Sequence, residues 1–253
     1  MRPAPALSPF WPIIMTSQLT DQFINSSIIL TVRYFILCGL FFAIFYILFK
    51  NHLFKHKLQD KLPLRSDYIR EISYSISSSI IFGLVFSLTI TVFLPYTKIY
   101  EDIDDYGQPY FWFSFILMAL LHDTYFYWTH RLIHSRQLFK IIHLVHHKST
   151  NPSPWTTYAF HPLEAIIQAL IIPTIVLIFP IQKFALIFYF LLQFLHNIYG
   201  HLGYELLPSF ITNTKAGRLL NTSIIHNRHH KNVKGNYGLL FTFWDKLMRT
   251  EIK

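Results

Sequence analysis

Apolar residues in this chain come in long runs. Stretches of membrane-spanning length occupy residues 28–49, 76–95, 111–128, 163–180 and, marginally, 184–199; a transmembrane helix needs about 20. The last two are joined by only Ile181, Gln182 and Lys183, which predicts a helical hairpin that either crosses or dips in and returns. The pattern predicts an all-α fold, an integral membrane helical bundle with four or five apolar helices. No Gly/Ser linker or repeat divides it. The expected parts are an N-terminal segment (1–27), membrane anchor helices (28–110) and a region carrying the chemistry (111–253). Pro3, Pro5, Pro9 and Pro12 interrupt the first of these, so it lacks the unbroken core of a signal peptide and is expected to be retained.

Composition agrees with this reading, at 52% hydrophobic, 18% aromatic and only 14% charged residues, outside the range of soluble domains. The net charge of +9 does not imply nucleic-acid binding, because of where it lies. Six Lys or Arg fall in residues 50–70, four in 131–148 and eight in 215–253, whereas the loop at 96–110 carries Glu101, Asp102, Asp104 and Asp105. This positive-inside asymmetry puts the basic segments and the C-terminus in the cytoplasm and the N-terminus outside. The ending Thr250-Glu251-Ile252-Lys253 lacks a dilysine retrieval signal, which favours a bacterial inner membrane over an endoplasmic reticulum. The single cysteine, Cys38, excludes an intrachain disulfide, a cysteine zinc site and a cysteine-ligated iron–sulfur cluster; a small buried hydrophobe accounts for it.

Histidine changes the picture. Eleven of the fourteen lie between His130 and His230, and ten of those form close sets: His130 with His134, His143 with His146 and His147, His196 with His201, and His226 with His229 and His230. Residues three or four apart share a helix face, so HxxxH and HxxHH aim imidazoles at one point. By chance one HxxHH in this chain has a probability of roughly 4%, and two nearer 0.1%. Ten ligands exceed what one ion takes, which implies two metals with four or five nitrogens each. Imidazole alone does not choose among zinc, copper, iron and nickel. By the charge pattern, the clusters form a histidine-rich helical cap on the cytoplasmic side. His196 and His201 are about 500° apart on a helix, so His196 is a ligand only if Gly200 breaks it; otherwise it packs or supports another ligand. His122, eight residues from His130, reads as a buried hydrogen-bonded histidine. Asp123 and Glu205 are candidates to hold the far nitrogens of ligand imidazoles, and His161 is either a ligand or, in its His-Pro-Leu-Glu setting, more readily such a partner. His52 and His56, in a basic loop, need no function.

His122-Asp-Thr-Tyr-Phe-Tyr-Trp-Thr-His130-Arg-Leu-Ile-His134, His143-Leu-Val-His146-His147, Tyr158-Ala-Phe-His161-Pro-Leu-Glu164, His201-Leu-Gly-Tyr-Glu205 and His226-Asn-Arg-His229-His230, with Asn236-Tyr-Gly and Phe243-Trp-Asp245, resemble the fatty acid hydroxylase and sterol desaturase superfamily. The likeness covers about residues 111–251, and the sterol methyl oxidase and sterol desaturase branch is nearest in motif. It implies a non-haem enzyme with two Fe ions held by the ten clustered histidines, which uses O₂ to attack a C–H bond of a sterol-like or fatty-acyl lipid. Hydroxylation and desaturation both remain open. No nicotinamide, flavin or iron–sulfur motif is present, so electrons must come from a carrier such as a cytochrome b5 or ferredoxin with its reductase. Two rivals remain: a membrane metal transporter or sensor, which would spread ionisable residues near the midplane, and a zinc-dependent lipid hydrolase, which would need a positioned carboxylate base, although no HExxH occurs.

Overall fold

The computed structural model describes residues 11–252; Pro3, Pro5, Pro9 and Lys253, on which the N-terminal and charge readings partly rest, lie outside the described residues. Helix α1 spans Trp11–Phe42 and therefore begins well inside the expected N-terminal segment. The chain then widens into a π-helical segment, Ala43–Leu48. The segment is tied to residues 202–204: the Phe45 carbonyl accepts from the Tyr204 hydroxyl at 3.0 Å, and the Tyr46 hydroxyl donates to the Leu202 carbonyl at 2.8 Å.

Helix α2, Arg65–Thr91, packs along α1. At Gly83 a Cβ would come within 2.8 Å of the Ser27 backbone nitrogen, and Ser87 Oγ donates to Ser26 Oγ at 3.3 Å nearby. Small residues let the two backbones approach where lipid offers no hydrophobic drive to association. Helix α3 is Gly107–Ile133, α4 Pro162–Ala169, α5 Ile171–Ile178, α6 Lys183–His201, α7 Ser223–Asn232 and α8 Phe243–Leu247. The expected single helix over 163–180 is thus two. Pro173 explains the break, because its ring clashes with the carbonyl four residues back, that of Ala169. Between α5 and α6 a short strand β2, Ile181–Gln182, pairs in parallel with β1, Ile99–Tyr100.

Among the described residues, two helices are long and apolar enough to cross a membrane, over Thr16–Leu48 and Arg65–Thr91. The other apolar runs fall in shorter helices or, in α3, among Tyr, Trp, His and Asp. Large apolar side chains face outward on several helices, among them Ile36, Leu48, Trp112, Ile116 and Phe184, a band too extensive for a water-facing surface. Cys38 is fully buried in the core beside Tyr34, Tyr158 and Phe194, as a small hydrophobe would be.

The basic segments gather at one end of this bundle. Leu58 N donates to the Gly203 carbonyl at 2.9 Å, Gln59 Nε2 to Asn227 Oδ1 at 3.2 Å and Arg70 Nη2 to Ser149 Oγ at 3.2 Å. The acidic loop lies with β1 and β2 at the other end, where Gln182 Nε2 donates to the Glu101 carbonyl at 2.9 Å and Lys183 pairs with Glu101 at 3.3 Å.

Candidate metal centre

Four pieces of backbone meet at the basic end. The last turns of α3 carry His130 and His134, a π-helical turn over Phe139–His143 runs into Leu144–His147, α6 ends at His201, and α7 carries His226, His229 and His230. All but His134 are buried. Their imidazole nitrogens fall into two groups, His130, His134, His143, His147 and His229 in one and His146, His201, His226 and His230 in the other, each within 4.8 Å of one another. Each HxxHH box is divided. It gives its i,i+4 pair, His143 and His147 or His226 and His230, to one group and its middle histidine, His146 or His229, to the other.

The contacts run through Nε2. His130 Nε2 lies 3.0 Å from that of His143 and 3.2 Å from that of His134, and His147 Nε2 lies 3.2 Å from His134 and 3.0 Å from His229. In the second group, His226 Nε2 lies 2.9 Å from His201 and 3.2 Å from His230, and His201 lies 3.3 Å from His146. An imidazole nitrogen has one in-plane lone pair or one proton, so a hydrogen bond serves one neighbour, whereas those of His130, His134, His147, His201 and His226 each face two. An ion at the shared point serves them all, and a metal–nitrogen bond of ~2.1 Å gives nitrogen–nitrogen edges of about 3.0–3.4 Å for octahedral or tetrahedral spheres. The all-imidazole donor set and its spacing fit a metal in each group.

The far nitrogens are set for the same purpose. Nδ1 of His130 donates to the Tyr237 carbonyl at 2.9 Å, that of His229 to the Gly235 carbonyl at 2.7 Å and that of His201 to the Asn197 carbonyl at 2.8 Å. Such bonds fix the tautomer that leaves Nε2 free. Burial keeps these rings neutral: it lowers His201 and His229 to about 4 and, with neighbouring imidazoles, holds His226 and His230 well below the usual range. A neutral ring is the form that binds a metal.

The loop supplying two of those carbonyls is itself anchored. Asp245 accepts from Tyr237 N at 2.9 Å, Gly238 N at 2.8 Å and the Thr250 hydroxyl at 2.7 Å. Gly235 adopts φ +79°, and a Cβ there would meet the Thr250 carbonyl at 2.2 Å, so the turn that aims its carbonyl at His229 has no room for a side chain. This gives the Asn236-Tyr-Gly and Trp-Asp245 motifs a physical role that spacing alone did not reveal.

Several expected partners stand elsewhere. Helix α6 runs unbroken through Gly200, so His196 faces away from His201 and sits outside both groups, its Nε2 on the Leu239 carbonyl at 3.1 Å. His161 caps α4, its Nδ1 accepting from Leu163 N at 3.3 Å, and touches no clustered imidazole. Its neighbour does: Glu164, fully buried, places Oε1 2.7 Å from His143 Nδ1, close but without hydrogen-bond alignment. One turn of α4 separates the two residues, and helix direction, absent from the sequence, decides which reaches inward. Asp123 accepts from Leu240 N at 2.8 Å and Phe241 N at 3.1 Å, fixing the loop that His196 also holds. Glu205 accepts from Ile224 N at 3.2 Å and from the Tyr199 hydroxyl, so it secures the start of α7 and positions three ligand candidates indirectly. His122 is buried with Nδ1 3.1 Å from the Tyr189 hydroxyl, as the sequence reading has it, and His52 and His56 are exposed.

Below the clusters a cavity of about 310 Å³ reaches His130, His143, His146, His201 and His226. Phe82, Phe126, Phe160, Ile172, Leu186 and Phe190 are among its walls, with Arg33, Gln168 and Gln193 as polar points, so away from the histidines it is mainly apolar and of a size that takes a small ligand.

A helical, outwardly apolar chain with nine inward imidazoles in two groups defines a histidine-cluster membrane protein. Residues 115–250 match the fatty acid hydroxylase family, and the chain belongs to that family. It is 35% identical over 153 residues to a Delta(7)-sterol 5(6)-desaturase of Gibberella zeae, covering 60% of this chain and 42% of that one. It is 30% identical over 209 residues to the lathosterol oxidase of Rattus norvegicus and 29% over 211 to that of Homo sapiens, covering 80% of this chain and 66% of each. The chain therefore spans between 42% and 66% of the length of these relatives. They come from a fungus, a rat and a human, so they lend no support to the expected bacterial inner membrane. No solved structure matches the chain.

Proposed function

We propose that this chain is a membrane-bound non-haem di-iron oxidoreductase that hydroxylates or desaturates a C–H position of a lipid, with O₂ as oxidant and electrons from an external carrier. The observation that carries this reading is the division of nine Nε2 atoms into groups of five and four above one apolar cavity. His130, His134, His143, His147 and His229 would hold one iron, and His146, His201, His226 and His230 the other. Iron so held supplies the O₂-dependent oxidation, since no side chain performs it. The chain's own residues do the rest: the Tyr237, Gly235 and Asn197 carbonyls orient three imidazoles, Glu164 faces a fourth, and the aromatic walls position a carbon skeleton and exclude water. Hydroxylation and desaturation then differ by small shifts in that positioning.

The printed activities of the relatives, a sterol 5(6)-desaturation and an oxidation of lathosterol, favour a sterol-like lipid. Region 111–253 is the catalytic part, and the preceding helices anchor it and wall part of its cavity. The basic segments at the histidine end favour a cytoplasmic catalytic face and an acidic carrier there, such as a cytochrome b5 or ferredoxin with its reductase, because complementary charge speeds encounter. A transporter is disfavoured, since the imidazoles meet at one end of the bundle instead of near its midplane.

Lipids from cells with and without the gene, compared by mass spectrometry, should differ by a species that has gained one oxygen or lost two hydrogens. Identical lipid profiles under aerobic growth would refute the oxidase reading. Independently, a reporter active only in the cytoplasm should work when fused at the C-terminus and fail when inserted at Asp104; the reverse result would put the histidines on the wrong side for a cytoplasmic carrier.

A further inference from the structure

Arg33 is a cation near the middle of the apolar span Thr16–Leu48. Ionisable residues at such depth are costly and mark function. It belongs to a coherent face of α1: Ser26, Ile29, Leu30 and Arg33, at helical spacing, line the cavity beneath the histidines, whereas Ile28 and Ile36 are exposed outside. The guanidinium sits over the Phe194 ring at 4.8 Å, and Nη2 donates to the Tyr158 hydroxyl at 3.0 Å. Among the described residues nothing else satisfies it. Nε is buried without a hydrogen-bond partner, and among the described residues no carboxylate lies within 4.0 Å. Guanidinium carries five N–H donors in a planar fork suited to oxygen acceptors, so most of its capacity points at no protein acceptor.

We propose that Arg33 binds an oxygen of the lipid substrate, a hydroxyl or a carboxylate, inside the cavity and thereby fixes which carbon faces the metal centre. The inference rests on the reading that the cavity takes a lipid. It makes Arg33 a specificity-determining residue, with Tyr158 and Phe194 holding the guanidinium in place. The substrate is then a lipid whose polar group enters the cavity with its carbon skeleton; a phospholipid head group, which stays at the membrane surface, does not meet this condition.

The test is equilibrium binding of radiolabelled probes to the purified full chain in detergent, in two matched pairs: cholestanol against cholestane, and palmitic acid against hexadecane. Wild type should prefer the oxygen-bearing member of one pair by about tenfold or more, the worth of a hydrogen bond to a charged partner, and the pair that shows the preference identifies hydroxyl or carboxylate. In Arg33→Met the preference should fall to near unity while cholestane or hexadecane binding is unchanged. Should that variant not fold, Arg33→Lys, which keeps the charge and loses the fork, should lose most of the preference. An undiminished preference in either variant, or none in wild type for both pairs, would overturn the proposal. Binding needs no turnover, so failure here leaves the oxidase reading standing, and lipid profiles that fail to change would sink that reading without touching this result.

Discussion

Replacing His146, His147, His229 or His230 singly with alanine should abolish turnover while the protein still inserts. Each ring offers Nε2 to one of the two groups, and removing one opens a coordination sphere that no nearby side chain refills. Insertion survives because α1 and α2 satisfy their own backbone bonds in lipid without any metal. The surrounding residues grade the effect. Glu164→Gln, which keeps the volume and removes the anion facing His143, should cost about 10- to 100-fold in turnover, as loss of a partner to a metal-bound imidazole does. His161→Ala should cost only about 1 kcal/mol or less of stability, the worth of a helix cap, and His52→Ala should behave as wild type. Lipid turnover in membranes from cells expressing each variant at matched levels measures this. Equal losses at His52 and His147 would mean that the clusters are not special.

Protein purified anaerobically in mild detergent should carry about two irons per chain, because five and four imidazoles make two spheres of ordinary size. Chelation should remove activity completely, and ferrous iron should restore it. Each single alanine variant should lose iron preferentially from its own group, so His147→Ala and His230→Ala should each retain closer to one iron than to two. Elemental analysis of wild type and both variants decides it. A single tightly held zinc in wild type, with no activity recovered on adding ferrous iron, would overturn the di-iron reading and revive a zinc chemistry.

Much of the chemistry is local in the sequence and could be read there. HxxxH and HxxHH spacings put imidazoles on shared helix faces whatever surrounds them, so eight of the nine grouped histidines can be read from the primary structure by spacing, whereas His196, counted with them in the sequence, stands outside both groups. The helical class and the clustering of basic residues around the histidines follow equally, because apolar runs and charge asymmetry are properties of segments. His122 and Cys38 were legible for the same reason.

What needed the third dimension was partnership. Which group takes the middle histidine of each HxxHH depends on how α7 faces the 143–147 turn, and spacing within either box cannot state it. His196 stands outside both groups because α6 continues through Gly200, and Glu164, not His161, faces His143 because of the direction in which α4 presents its first turn. Arg33 passed unremarked inside the apolar run 28–49, because its meaning required the cavity and, among the described residues, the absence of a carboxylate beside it. Local spacing is fixed by helix geometry and so is written in the sequence, whereas the pairing of segments distant along the chain is fixed by packing, which only the assembled fold expresses.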